Sequence, residues 1–259
     1  MKTALITLSV EGLTLLQRVR ALNPGADLYL HESVANRPAD VIPFSAIIPL
    51  TARIFDQYRE LVYAAPCGVV LRALAPVLQH KLTDPAVVVT DVLGRWAISL
   101  LSGHEGGAND LALRLANQIG AEPVITTTSE ALRQIIVGIG CRRGTPAERI
   151  IAAIHAGLAL AGCTINEVRL IASADLKADE TGLLEAALQL GLQLRFISSD
   201  EICKSSRRFG HSDFVKTKVG LPAVAEPAAL LAGRRTQLLL PKTIIQGVTV
   251  AVAREDCLL

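Results

Sequence analysis

Short apolar runs alternate with amphipathic stretches along most of the chain, and this alternation restricts it to folds that layer helices on a parallel sheet. Ala4 to Leu8 reads as a strand, followed by a helix from Gly12 to Leu22 with Leu15, Leu16 and Val19 turned inward. Leu61 to Ala65 is a second strand. It leads into a helix from Gly68 to His80 that buries Val70, Leu74 and Val77. Ala86 to Thr90 and Trp96 to Leu100 flank Asp91-Val92-Leu93-Gly94-Arg95, the signature of a hairpin. Gly107 to Ile119 repeats Ala108, Leu111, Ala112, Leu115 and Ile119 at helical spacing, and Pro123 to Thr127 reads as a strand.

A polar stretch then separates this half from a strand at Ile135 to Ile139, so a domain boundary is expected near residue 130, giving domains 1–130 and 131–259. Thr145-Pro146-Ala147-Glu148 combines a capping box with proline at the first helical position, predicting a helix to about Ala161. Strands at Glu167 to Ala172 and Gln193 to Ile197 flank a helix from Ala178 to Leu190 that Gly191 stops. Ser198 to Glu201 supplies another capping box. Glu226 to Leu231 reads as a helix, and Thr236 to Leu240 and Val248 to Ala253 as strands. The expected architecture is α/β: two domains, each a mainly parallel sheet flanked by helices.

Composition narrows the functions open to such a fold. With 51% hydrophobic and 19% charged residues the 259-residue chain can bury real cores. Only 3% is aromatic, so those cores rest on Ala, Val, Ile and Leu, and base-stacking platforms are absent. A net charge of +2 does not call for nucleic acid, and the pairs Arg142–Arg143, Arg207–Arg208 and Arg234–Arg235 read as solvated surface. Cys67, Cys141, Cys163, Cys203 and Cys257 are scattered and never form C-x-x-C, which argues against disulfides or structural zinc. No apolar run reaches the roughly 18–20 residues that span a bilayer. The compartment expected is the cytoplasm, with no membrane partner.

Three strand-to-helix loops carry chemistry-bearing residues. Ser102-Gly103-His104-Glu105-Gly106-Gly107-Ala108-Asn109 offers glycine flexibility, a helix N-terminus suited to a carboxylate, and His104 and Glu105 as proton-transfer groups. A glycine-rich turn bearing a surface histidine is the alternative. Gly138-Ile139-Gly140-Cys141-Arg142-Arg143-Gly144 imitates the dinucleotide fingerprint but has one residue too many, and Asp175 lies too far on to be its acidic partner. An anion cradle with Arg142 and Arg143 survives that misfit. Cys141 is a nucleophile only if its surroundings depress its pKa, and is otherwise a small residue in a tight turn. In the third loop, Asp175, Lys177, Asp179 and Glu180 either bind substrate or serve as helix-terminal charges. Lys81 reads as complementing the dipole of the helix it ends.

Together these loops resemble the cobalt-precorrin-5A hydrolases of cobalamin biosynthesis. The resemblance rests on Pro66-Cys67-Gly68-Val69-Val70-Leu71-Arg72 with Ala75-Pro76, on Lys81 with Asp84-Pro85-Ala86-Val87, and on Leu100 to Asn109. In the second half it rests on Gly138 to Thr145, Asp175 to Glu180, and Val224-Ala225-Glu226-Pro227-Ala228-Ala229. It covers roughly residues 40–255. Many members of that family carry a middle domain after the T-T strand. Here Ile125-Thr126-Thr127-Thr128 is followed almost at once by Ile135 to Ile139, so this is a short form.

The resemblance implies opening of a ring-A δ-lactone and loss of acetaldehyde from a cobalt tetrapyrrole fringed with carboxylates, in a cleft between the domains. It implies no redox cofactor and no protein-bound metal, since cobalt arrives with the substrate. His104 is expected as general base or acid, Glu105 as its orienting partner, and the N–H groups around Gly106 and Gly107 as oxyanion donors. Ser102, Gly103, Asn109, Gly140, Cys141, Arg142, Arg143, Lys177 and Glu180 are expected to contact substrate, and other corrin-pathway enzymes are candidate partners. A non-catalytic tetrapyrrole carrier is the rival reading, and a nucleotide-dependent oxidoreductase the weaker one.

Overall fold

The computed structural model describes residues 2–207, 209 and 223–256; Arg208 and Cys257 lie outside the described residues. The chain divides into two compact units, Met1–Thr127 and Thr128–Leu259.

The first unit carries a seven-stranded sheet in the order β3-β2-β1-β4-β5-β6-β7. Its strands are β1 (Thr3–Thr7), β2 (Asp27–His31), β3 (Ile42–Phe44), β4 (Glu60–Ala64), β5 (Ala86–Thr90), β6 (Trp96–Leu101) and β7 (Glu122–Val124). Every neighbouring pair is parallel except β5 with β6, which form the expected hairpin. Asp91 closes that turn by accepting the N–H of Arg95 at 2.7 Å and of Trp96 at 3.2 Å.

Side chains alternate across the strands, so each face builds its own core. Leu5, Leu28, Leu30, Val62 and Val88 pack under α1 (Val10–Leu22) and α4 (Ala108–Ile119). Ala4, Ile6, Tyr29, Tyr63, Val87 and Val89 pack under α2 (Ile47–Ile54) and α3 (Cys67–Leu74). The scarce aromatics gather on that second face, where Phe44, Phe55 and Tyr58 join Tyr29 and Tyr63.

Helix α3 ends at Leu74, short of the expected His80, because Pro76 lacks the N–H that the next turn needs. Lys81 therefore lies beyond the helix and does not complement its dipole. Strand β7 is shorter than expected and ends at Val124.

The second unit opens with α5 (Thr128–Ala131) and has a five-stranded sheet in the order β10-β9-β8-β12-β11. Strands β8 (Ile135–Gly140), β9 (Val168–Ala174) and β10 (Gln193–Ile197) are parallel. The hairpin of β11 (Thr236–Ile245) and β12 (Val248–Glu255) completes the sheet antiparallel to β8. Its two-residue turn, Gln246-Gly247, has both φ angles positive at 49° and 83°, matching a twisted two-stranded ribbon.

Ile135, Val137 and Ile139 bury under α6 (Ala147–Ala161) and α7 (Thr181–Leu190). Ile136, Ala172 and Ala251 bury against α8 (Ser199–Lys204) and α9 (Ala225–Leu231).

The capping box expected at Thr145–Glu148 does not form. Pro146 is the cap residue, α6 starts at Ala147, and the Thr145 hydroxyl donates to the Arg142 carbonyl at 2.7 Å. At Ser198 the cap is present, its side chain accepting the Glu201 N–H at 3.1 Å. A full capping box joins Thr164 to Glu167 at the helical turn before β9.

Candidate functional site

The loop from Ser102 to Gly107 joins β6 to α4, but it does not lie beyond the carboxyl ends of the sheet's parallel core. Strand β6 runs antiparallel to β5, with Leu101 opposite Val87, so the loop sits where β1, β4 and β5 begin. Its neighbours follow from that placement. A Cβ on Gly106 would lie 3.3 Å from the Asp84 carbonyl, and Lys81 reaches Glu105 at 2.7 Å.

Glu105, expected to orient His104, pairs with Lys81 and makes no hydrogen bond to that imidazole among the described residues. The Lys81 ammonium, with the loop's own N–H, holds the Glu105 carboxyl below its usual range. His104 is exposed and makes no hydrogen bond among the described residues. The loop thus presents an imidazole to solvent beside a carboxylate committed elsewhere.

Of the N–H groups expected to stand open around Gly106 and Gly107, that of Gly106 is taken, while that of Gly107 has no acceptor among the described residues. Gly106 and Ala108 both donate to the Ser102 carbonyl at 3.1 Å, and Asn109 donates to the Gly103 carbonyl at 3.0 Å. The loop caps its own helix. Gly107, with φ 87°, occupies the left-handed cap position that favours glycine.

Asn109 faces inward at 3% exposure, accepting from the Ser99 hydroxyl at 2.8 Å and donating to Thr127 at 2.9 Å. Gly103 packs against the same pair, its Cβ position lying 2.7 Å from Thr127 Cγ2 and 2.9 Å from Asn109 Oδ1. Asn109 therefore pins the loop to the segment that follows β7 instead of reaching outward. Its helical spacing beside Ala108 and Ala112 was the signal for this. Ser99, Thr127 and Lys81 are the supports that the sequence reading did not assign to the loop.

In the second unit the Gly140–Gly144 loop leads toward α6, beside the loop before α7. Glu180, 3% exposed, accepts the Gly144 N–H at 2.8 Å, and Lys177 Nζ lies 3.8 Å from its other oxygen. Arg143 pairs with Asp179 at 2.8 Å, both largely exposed. Arg142 is exposed and has no ion-pair partner among the described residues. A pocket of about 330 Å³ is lined here by Arg143 to Pro146, Asp179 to Gly182, and Glu185. Lys177 and Glu180 thus brace the loop from within, while the two arginines face outward.

Burial pushes the Cys141 thiol up, outweighing the nearby Lys177 charge, so the nucleophile reading loses its condition. Alkylation by iodoacetamide at neutral pH should modify the exposed Cys67 and Cys203 well before Cys141. Peptide mass spectrometry over a time course checks the order, and early labelling of Cys141 would restore it as a reactive thiol.

No group of three or more metal-ligating side chains occurs among the described residues, and no described helix is long and apolar enough to cross a membrane.

Comparison with known proteins gives two family matches, one in each unit. Cobalamin synthesis G N-terminal matches residues 49–130, and Cobalamin synthesis G C-terminus matches residues 135–253. The chain is 27% identical over 342 residues to the cobalt-precorrin-5A hydrolase of Salmonella typhimurium, with 96% of each chain covered. It is 25% identical over 352 residues to that of Priestia megaterium, covering 96% of this chain and 94% of the relative. Protein CobE of a Sinorhizobium species is 36% identical over 128 residues, covering 49% of this chain and 83% of that one. The 342-residue alignment exceeds the 259 residues here, so at least 83 of its positions have no counterpart in this chain.

Proposed function

The chain belongs to the cobalamin synthesis G family, and from that membership we propose that it hydrolyses the ring-A lactone of cobalt-precorrin-5A, releasing acetaldehyde and giving cobalt-precorrin-5B. The observation that carries this reading is His104, an exposed imidazole without a hydrogen bond among the described residues, held out by a turn that Asn109 and the Lys81–Glu105 pair anchor.

Imidazole is the side chain suited to proton exchange near neutrality. His104 takes a proton from water as the water oxygen bonds to the lactone carbonyl carbon. The ring C–O bond then breaks, and the imidazolium returns its proton to the departing alkoxide. Acetaldehyde leaves in a following step. The new alcohol gives up its O–H proton as its carbon–carbon bond to the macrocycle breaks, and the oxygen becomes the aldehyde carbonyl. The bond's electron pair passes to the conjugated macrocycle, which takes up a proton. Cobalt enters as part of the substrate, and none of these steps draws on a redox cofactor.

The macrocycle's peripheral carboxylates suit guanidinium groups, which bind them in bidentate fashion. Arg142 takes this role in the proposal, being exposed and unpaired among the described residues, with Arg143 exchanging its Asp179 contact for substrate. Gly140 and Cys141 contribute backbone to that loop. Arg142→Ala should raise KM about tenfold, close to 1.4 kcal/mol, and leave kcat unchanged. Steady-state kinetics check it; a fall in kcat alone would place Arg142 elsewhere in the reaction.

A second reading, a tetrapyrrole carrier without catalysis, draws on the missing 83 or more alignment positions and on the similarity to CobE. Acetaldehyde is assayed after mixing the protein with anaerobically prepared cobalt-precorrin-5A. Release supports the hydrolase. Tight binding without release supports the carrier.

A further inference from the structure

Two unfavourable features meet at Ser102. Its φ is 58°, in the left-handed region that a non-glycine residue enters at a cost. The residue is 7% exposed, and its buried Oγ has no hydrogen-bond partner among the described residues. A buried hydroxyl without a partner is itself destabilising. In this conformation the Ser102 carbonyl accepts both the Gly106 and the Ala108 N–H, two donors of the turn that carries His104. The backbone that carries the strain is also the group that masks those donors.

We propose that the 102–107 turn is a two-state element. Its present arrangement is the masked one, and rotation of Ser102 out of positive φ frees the Gly106 and Ala108 N–H groups to receive a substrate oxyanion. The same rotation gives the Ser102 hydroxyl a substrate oxygen as partner. Strain at one residue narrows the gap between the two arrangements, so the differential contacts of a bound ester or lactone suffice to shift the population. The role in turnover rests on the hydrolase reading above. The two-state claim does not.

The test therefore begins without ligand. Ser102→Gly removes both unfavourable features and favours the masked arrangement, since glycine accepts positive φ. Melting temperature should rise by about 2–4 °C. Amide exchange at Gly106 and Ala108 should slow about fivefold, the population change that corresponds to about 1 kcal/mol. Ser102→Ala keeps the backbone strain and removes only the unpaired hydroxyl, so exchange at these amides should slow less than in Ser102→Gly. A lower melting temperature in Ser102→Gly, or unchanged exchange, overturns the two-state claim whatever the protein catalyses.

With cobalt-precorrin-5A, Ser102→Gly should lose about fivefold in kcat in spite of its greater stability, and Ser102→Ala should raise KM. A stabilised Ser102→Gly with full turnover overturns the link to catalysis. Absence of acetaldehyde from the wild type instead counts against the hydrolase reading, and leaves the exchange result to judge the turn.

Discussion

Replacing His104 with alanine should reduce acetaldehyde release by roughly 10²–10⁴-fold, the usual contribution of a positioned proton-transfer group. At 1.36 kcal/mol per tenfold, that is about 3–5 kcal/mol of barrier. Substrate affinity should hardly change, because the imidazole is exposed and no described contact of the loop depends on it. Folding should be untouched for the same reason. Single-turnover kinetics beside equilibrium binding separate these effects. Equal losses of binding and turnover would make His104 a binding group and remove the general-base assignment. Glu105→Gln gives the contrast: its carboxylate serves Lys81, so turnover should fall far less than in His104→Ala.

Gly138→Ala should destabilise the second unit by about 3 kcal/mol, at the upper end for overpacking a core. A Cβ there would lie 1.9 Å from the Ala225 carbonyl oxygen and 2.9 Å from Ala229 Cβ, so α9 would have to lift off β8. Both neighbours belong to a helix whose residues from Ala225 to Leu230 are all buried, which leaves little room for relaxation. Urea unfolding followed by circular dichroism measures the shift in midpoint. Gly140→Ala is the comparison. Its Cβ position meets nothing closer than 3.5 Å and its φ is not positive, so its stability should stay near wild type. Equal midpoints for the two variants would mean that α9 yields easily, and the close approach would no longer account for Gly138.

Gly138 and Gly140 are the two glycines of the G-x-G motif. In the sequence it imitates a phosphate loop. In the structure its first glycine serves helix-on-sheet contact, and Cys141, Arg142 and Arg143 follow in a loop braced by Glu180. Spacing alone does not tell a glycine that admits a ligand from one that admits a neighbouring helix, because both require a missing Cβ.

Elements with strong local signals were legible. Helix α4 declares itself through Ala108, Leu111, Ala112 and Leu115 at one face, and the β5–β6 hairpin through Asp91 and Gly94. Strands β2 and β3 and helix α2 were not read from the sequence. Strand β3 has only three residues and contains Pro43, and α2 contains Pro49. Both prolines look like breakers, yet one lies in an edge strand and the other in a first helical turn, where no ladder N–H is needed.

The sequence by itself determined the layered α/β class, the order of most elements and the family, because periodicity, turn residues and motif order are local properties. Only the tertiary structure decided what each site residue faces. One antiparallel strand, β6, turned the His104 loop to the opposite end of the sheet and brought Lys81 to Glu105. Long-range packing turned Asn109, Lys177 and Glu180 inward and left His104 and Arg142 outside. The physical reason is that a side chain's partners are set by strand direction and by contacts from distant parts of the chain, and neither is written in its neighbours.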